Sequence, residues 1–287
     1  MIRGRLCALG LLITIYLVGV LLLSTVTLQN QHKSDWIGGE ADGWRGGAEV
    51  VHWCRPLHFL TPSSAHSTPR PVIALASFPG SGNTWLRYLL QQATGVYTGS
   101  VYKDYGLLRN GFPGESWSNS SVSVVKTHEW GVQARAHFGR AVLLVRAPAH
   151  AIHAEFNRQS GGHVGFASPH RYKRNRGRYW HQFVMEKLSS WKSMNLDWVR
   201  NFDGPTHVVL YENLVEDVET TLRKLIDFIQ LPIDEKQIQC ALERQEGIYR
   251  RKRRVFNLDP YTTSMKIMLQ IEQEKVLQEI KSRIKTS

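Results

Sequence analysis

A turn rich in glycine and hydroxyl side chains follows the apolar run Val72–Phe78. Its sequence is Pro79-Gly80-Ser81-Gly82-Asn83-Thr84-Trp85. The two glycines allow a sharp bend and a close approach of the backbone to a ligand. The helix predicted to follow offers free N–H groups and the positive end of its dipole to an anion, and Ser81, Asn83 and Thr84 add side-chain donors. The pattern predicts a phosphate site, although an ordinary turn before a helix can have the same composition.

The turn matches neither of two common nucleotide-binding motifs. The pattern GxxxxGK[ST] requires a lysine before its serine or threonine, and residues 79–85 contain no lysine. The dinucleotide fingerprint GxGxxG is also absent from the sequence. A kinase that uses ATP is therefore an alternative function, but the missing lysine argues against it.

A lysine and a histidine stand two positions apart at the end of a second apolar run, Val122–Val125. In an extended chain Lys126 and His128 point to the same face. Histidine is the natural general base near neutral pH, and lysine can stabilise charge that develops on a leaving oxygen. The pair predicts a catalytic site, while a lone histidine at a strand end can also be merely solvated or hydrogen-bonded.

An arginine follows the third apolar run, Ala141–Val145. The guanidinium of Arg146 has the fork geometry that binds a phosphate group with two hydrogen bonds. A salt bridge to a neighbouring acid is the alternative role for such a residue.

The runs that carry these residues alternate with helical stretches. A fourth run, Val208–Tyr211, follows them, and apolar residues recur at helical spacing within 84–92 and again within 218–229, where Leu231-Pro232 ends the pattern. Short buried strands that alternate with amphipathic helices predict an α/β fold, a parallel sheet with helices on both faces. Ligands of such folds bind at the carboxyl ends of the strands, where all three groups of candidate residues stand.

The N-terminus predicts a membrane anchor. Arg3 and Arg5 precede a stretch without charge up to Lys33, and about 20 apolar residues span a bilayer as a helix. A cleaved signal peptide is the alternative, but its apolar region usually has only about 7–15 residues. Basic residues ahead of the span place the remainder in the lumen. We therefore expect a cytosolic tail (1–5), a transmembrane anchor (6–28), a luminal stem (29–70) and one domain (71–287).

The luminal placement determines how the remaining signals are interpreted. Cys54 and Cys240 are the two luminal cysteines, and an oxidising compartment allows one disulfide between them, although two unpaired thiols are an equal alternative. Asn119 begins an N-glycosylation sequon. No Cys/His spacing indicates a metal site. The net charge of +12 points to an acidic partner, and the anchor disfavours nucleic acid.

Several motifs carry a resemblance that covers about Val72 to Ile280. They are Ser77–Trp85, Ala93–Ser100, Lys126–Glu129, Ala154–Arg158, Tyr211–Leu214, and the basic Arg250–Arg254 followed by Pro260-Tyr261-Thr262. On these residues the chain resembles the PAPS-dependent sulfotransferases. It is similar above all to the WSC-domain-containing (WSCD) family, which includes sialate O-sulfotransferases. The Cys-rich WSC module is missing, since the predicted stem contains only Cys54.

The resemblance implies a function and a role for each group. The protein would be a Golgi enzyme that transfers the sulfuryl group from PAPS to a glycan hydroxyl, sialic acid in the closer family. Residues 79–85 would hold the 5′-phosphosulfate, and Lys126 and His128 would be catalytic. Arg146, with Arg251 and Lys252 of the basic C-terminal segment, would hold the 3′-phosphate.

Two positions depart from the pattern of the cytosolic sulfotransferases. Gly80 stands where these enzymes have a catalytic lysine, and Ala154 stands where they have a serine. Stabilisation of the leaving phosphate would then fall on backbone N–H groups, Lys126 and Arg87. These departures leave open a membrane-tethered glycan-binding protein without catalysis. The basic segment 171–178 could either line an acceptor cleft or be a solvated loop.

Overall fold

A computed structural model describes residues 51–61, 69–247 and 259–284. Its centre is a five-stranded parallel sheet in the order β2-β3-β1-β4-β5. The strands are β1 (Ile73–Ser77), β2 (Gly99–Ser100), β3 (Val125–Thr127), β4 (Arg140–Val145) and β5 (Thr206–Leu210). The predicted α/β fold with a parallel sheet between helices is confirmed.

Helices follow the strands and cover the sheet. They are α1 (Asn83–Thr94), α2 (Tyr105–Arg109), α3 (Val132–Arg135), α4 (Pro148–Gly161), α5 (Pro169–Lys173), α6 (Arg178–Asn201), α7 (Tyr211–Glu216), α8 (Val218–Phe228), α9 (Glu235–Glu243) and α10 (Thr263–Ile284). A 3-10 turn at Arg174–Gly177 joins α5 to α6.

The alternation of side chains along β1 divides the core into two clusters. Ala74 and Ala76 pack in one cluster with residues of α4, α6 and α10. Ile73 and Leu75 point to the opposite face, where they pack with residues of α1, α8 and α9. Both faces of the strand are therefore buried, as expected for a parallel sheet with helices on each side.

The domain extends beyond its predicted start at residue 71. Residues 51–61, expected to be stem, pack on it: His58 forms a β-bridge with Val96, and the ring of Phe59 lies 4.6 Å from that of Tyr97. Apolar residues of this segment such as Trp53 and Cys54 already indicate, from the sequence, that part of the stem packs on the domain, because such side chains gain by burial.

Several predictions concern residues outside the described ranges. The anchor at 6–28 is one of them, and Arg251 and Lys252 are others. Within the described ranges, no helix combines the length and the apolar character needed to cross a bilayer.

Candidate functional site

The three groups of candidate residues meet at one edge of the sheet. The strands β1, β3 and β4 are parallel neighbours, so their carboxyl ends lie side by side. The ring nitrogen Nδ1 of His128 lies 2.6 Å from the backbone oxygen of Ser77 at the end of β1. The nitrogen Nη1 of Arg146 donates to the backbone oxygen of Gly80, at 2.9 Å. The structure thus brings the turn, the histidine and the arginine into one site.

Backbone geometry explains both glycines of the turn. Gly80 has φ = 83° and Gly82 has φ = 97°, a region that residues with a side chain rarely adopt. A Cβ atom on Gly82 would lie 2.5 Å from the ring of Tyr211. Gly82 is also the N-cap of α1 and supplies no side-chain cap. The first N–H groups of the helix therefore remain for an anion.

The side chains of the turn do not all face a ligand site. Asn83 is buried, and its Nδ2 donates to the backbone oxygen of Leu75 at 3.2 Å and to Oγ of Ser77 at 3.1 Å. The amide thus ties the start of α1 to β1 in this structure, and its role as a donor to a ligand stays a prediction. Trp85 donates through Nε1 to the backbone oxygen of Gln245, at 2.6 Å.

Three other residues of the turn are not held by side-chain hydrogen bonds to described residues in the way that Asn83 and Trp85 are. Pro79 and Thr84 are half-buried. Ser81 is buried, and its Oγ has no hydrogen-bond partner among the described residues. A buried hydroxyl without a partner is costly, so this atom fits a site that a polar ligand completes.

His128 is oriented by its neighbours. Since a carbonyl oxygen can only accept, the contact with Ser77 places the ring hydrogen on Nδ1 and leaves the lone pair on Nε2. The ring of Tyr102 stacks on that of His128 with centroids 5.7 Å apart, and the Tyr102 hydroxyl accepts from the His128 backbone N–H at 3.0 Å. Burial, and then the charge of Lys126, lower the pKa of His128 to about 3. The imidazole is thus neutral at physiological pH, as a general base must be.

Lys126 is buried beside the histidine. Its Nζ lies 5.5 Å from the centroid of the Tyr102 ring. Burial, and then the charge of Arg87, lower the pKa of Lys126 to about 8. A cation in a poorly solvated position interacts strongly with any charge that develops next to it.

Arg146 lies between the turn and α7. Its guanidinium carbon is 4.1 Å from the centroid of the Tyr211 ring. Its Nε is buried without a hydrogen-bond partner among the described residues. Burial lowers the pKa of Arg146 below its usual value, and the charges of Tyr211 and Glu212 oppose this shift. Together with Ser81 Oγ and the glycine cradle, this donor fits a phosphorylated ligand at the edge of the sheet.

The two departures from the cytosolic sulfotransferases are neighbours in space. A Cβ atom on Gly80 would lie 2.3 Å from the backbone oxygen of Ala151 and 3.2 Å from Cβ of Ala154. The turn therefore packs directly on α4, and a lysine at position 80 has no room in this arrangement.

Arg87 is held by partners inside the domain. It is completely buried, where its Nη2 donates to Glu115 at 2.8 Å and its Nε donates to Thr98 at 3.0 Å. These contacts hold the guanidinium inside the domain, while its charge still contributes to lowering the pKa of Lys126 and His128. Its role towards the leaving phosphate stays a prediction.

Sequence reasoning missed the two tyrosines that support the site. Tyr211 comes directly after β5, so the rule that ligands bind at strand ends could have found it. Tyr102 follows β2, and the two residues of that strand, Gly99 and Ser100, form no apolar run that would reveal it.

The remaining predicted residues lie elsewhere. A disulfide joins Cys54 to Cys240, with Cα atoms 5.9 Å apart. Asn119 is exposed, and its Oδ1 accepts from the Oγ of Ser121 at 2.6 Å; its glycosylation stays a prediction. Among the described residues, no group of three or more His, Cys, Asp or Glu side chains could hold a metal ion.

Comparison with known proteins places the chain among named relatives. No protein-family model matches it. A WSCD family member of Aedes aegypti is 50% identical over 294 residues, which cover 92% of this chain and 93% of the relative. A WSCD family member of Drosophila melanogaster is 54% identical over 241 residues, which cover 77% of this chain and 76% of the relative.

Solved structures show a more distant likeness. The mouse sulfotransferase SULT7A1 complexed with PAP has a TM-score of 0.49 at 13% identity, over 76% of this chain and 87% of that one. Retinol dehydratase in a complex with retinol and PAP has a TM-score of 0.41 at 16% identity, over 74% of this chain and 81% of that one. Both TM-scores lie below 0.5, so the sequence relatives decide the family.

Proposed function

The chain belongs to the WSCD family, and from this premise we propose that it is a sulfotransferase that uses PAPS to sulfate a hydroxyl of a glycan. One observation carries the proposal: a glycine-rich turn, a neutral histidine with a free Nε2 and a partly unsatisfied arginine share one edge of the sheet. The donor would supply an activated sulfuryl group on its 5′-phosphate.

His128 takes the proton in this mechanism. Nε2 accepts it from the acceptor hydroxyl as the oxygen forms its bond to sulfur. The hydrogen bond from Nδ1 to Ser77 holds the ring in the productive tautomer and stabilises the imidazolium that results. Positioning of this kind and general base catalysis both lower the barrier.

Groups on either side of the turn would stabilise the negative charges of the donor. As the bond between sulfur and the bridging oxygen breaks, negative charge grows on the phosphate, where Lys126 and the N–H groups that begin α1 can stabilise it. Arg146 would hold the 3′-phosphate through the donor that lacks a partner. Arg251 and Lys252 are proposed to complete that subsite.

We propose a location in the Golgi membrane, with the anchor at residues 6–28 and the domain in the lumen. The pairing of Cys54 with Cys240 supports an oxidising compartment. The exposure of the sequon at Asn119 is compatible with passage through the secretory pathway.

Transfer of label from ³⁵S-PAPS to a glycan panel, with the detergent-solubilised full-length chain, tests the function. We expect wild type to label at least one sialylated glycan and His128→Ala to lower turnover by about 10²–10⁴-fold. His137→Ala is the matched control, because His137 is exposed just before β4, at the opposite edge of the sheet. Equal rates for the two variants would remove His128 as the base. A wild-type chain that binds PAP but labels no glycan would instead favour a glycan-binding protein.

A further inference from the structure

Arg158 is a positively charged residue on the helix that packs against the donor turn, and the proposed mechanism does not use it. It lies near the end of α4, one turn after Ala154, which packs against the turn at Gly80. Residues three and four apart lie on the same face of a helix. This face of α4 therefore runs from the donor turn towards Arg158.

A buried carboxylate fixes one edge of the Arg158 guanidinium. Glu155 is only 2% exposed. It accepts from Nε of Arg158 at 2.7 Å and from Nη2 at 2.8 Å, and Gln159 donates to it at 2.8 Å. This fork-to-fork contact removes much of the freedom of a long side chain and aims its other edge.

The other edge is available to a ligand. The Arg158 side chain is 43% exposed, and its two hydrogen bonds to Glu155 use Nε and Nη2 rather than Nη1. The charge of Arg158 reaches the site, because it contributes to lowering the pKa of both Lys126 and His128. Asp104 is the acidic side chain facing it from another element, and this carboxylate is occupied by His163 at 2.8 Å and by the N-terminus of α2.

We propose that Arg158 binds an anionic group of the acceptor, such as the carboxylate of an acidic sugar, and so positions the acceptor hydroxyl beside His128. This inference rests on the proposed function and adds the residue that selects its acceptor. A carboxylate matches the planar guanidinium, and the held geometry leaves little entropy to lose on binding.

The test measures equilibrium binding of 3′-sialyllactose and lactose to the full-length chain by saturation-transfer NMR, in the presence of PAP. Wild type should bind 3′-sialyllactose roughly tenfold or more tightly than lactose, as expected for a hydrogen bond between charged groups. Arg158→Gln should lose that preference. Arg223→Gln is the matched control, since this arginine is also paired with carboxylates, Glu219 and Glu235, but lies on α8, and it should keep the preference.

A second variant separates recognition from folding. Arg158→Gln leaves the buried Glu155 without its charged partner, whereas the double variant Glu155→Gln/Arg158→Gln removes both charges. Both should show the same loss of preference while PAP still raises the melting temperature as in wild type. An unchanged preference, or a loss of PAP binding in the double variant, would overturn the inference. Selective binding of 3′-sialyllactose that depends on Arg158, without any sulfate transfer, would support the acceptor site and refute the proposed enzyme.

Discussion

The catalytic pair is set by the environment of two side chains. Lys126 is only 6% exposed, and its charge lies close enough to lower the pKa of His128. A positive charge on Lys126 therefore makes protonation of His128 unfavourable. Near pH 7 the histidine remains neutral while the lysine stays charged. An arrangement that separates two pKa values in this way assigns the base and the charge stabiliser.

The pH dependence of kcat/KM should reveal this division, because it reports the groups of the free enzyme. With a His128 pKa of about 3, the base is deprotonated throughout the neutral range, so we expect a flat profile between about pH 5 and pH 7. Above a Lys126 pKa of about 8, the lysine loses its charge and activity should fall. Lys126→Arg, which stays charged, should remove this alkaline fall. An acidic limb near the ordinary histidine pKa would show that His128 is well solvated.

At the scale of elements, apolar runs were sufficient to predict most of the sheet. The pattern of Val72–Phe78 and Ala141–Val145 is typical of buried parallel strands, and β1 and β4 lie there. Apolar residues at helical spacing predicted α1 and α8, which lie where the pattern placed them. The short strand β2 could not be predicted, because Gly99 and Ser100 have neither bulk nor periodicity, and the position of Tyr102 was lost with it.

The roles of side chains could likewise be predicted only where they follow from local sequence pattern. A strand end is visible in sequence, so His128 and Arg146 could be predicted at one edge. The partners of Asn83 and Arg87 depend on which elements pack beside them, and sequence spacing does not contain that information. The close approach of Gly80 to Ala154 is of the same kind, since it joins a turn to a helical residue 74 positions later in the chain (154 − 80).

The packing of the turn on α4 predicts how Gly80 tolerates substitution. Gly177→Ala is a matched control, because Gly177 also has a positive φ of 82° but no described atom lies within 4 Å of the added Cβ. We expect Gly177→Ala to cost about 1–2 kcal/mol from the backbone alone. Gly80→Ala should cost about 1–3 kcal/mol more, because overpacking is added. Denaturant unfolding measures both, and equal losses would mean that the turn does not pack on α4.

At the scale of the whole molecule, a covalent link fastens the N-terminal segment to the domain. The disulfide joins Cys54 to Cys240 on α9 across 186 positions. Arg70 adds contacts after the segment, since its guanidinium donates to the backbone oxygens of Val122 at 2.8 Å and Ile229 at 3.0 Å. The domain is therefore held together by residues that the sequence pattern places in a stem.

Removing the disulfide should weaken the domain substantially. The double variant Cys54→Ser/Cys240→Ser is expected to lose about 2–5 kcal/mol of unfolding free energy, seen as a lower melting temperature. A reducing agent should lower the melting temperature of wild type but leave that of the variant unchanged. Complete reduction of the bond in wild type without any change in the melting temperature would contradict a stabilising role.

The central claim is that the edge of the sheet binds a nucleotide phosphorylated at both the 5′ and 3′ positions. Thermal unfolding of the full-length chain with increasing PAP, beside ADP at the same concentrations, tests it most directly. A ligand at 100 times its Kd adds about 2.7 kcal/mol to the free energy of unfolding. We predict a clear rise in melting temperature with PAP at hundreds of micromolar and a much smaller one with ADP, which has no 3′-phosphate for Arg146. No rise with PAP, or an equal rise with both nucleotides, would contradict the account.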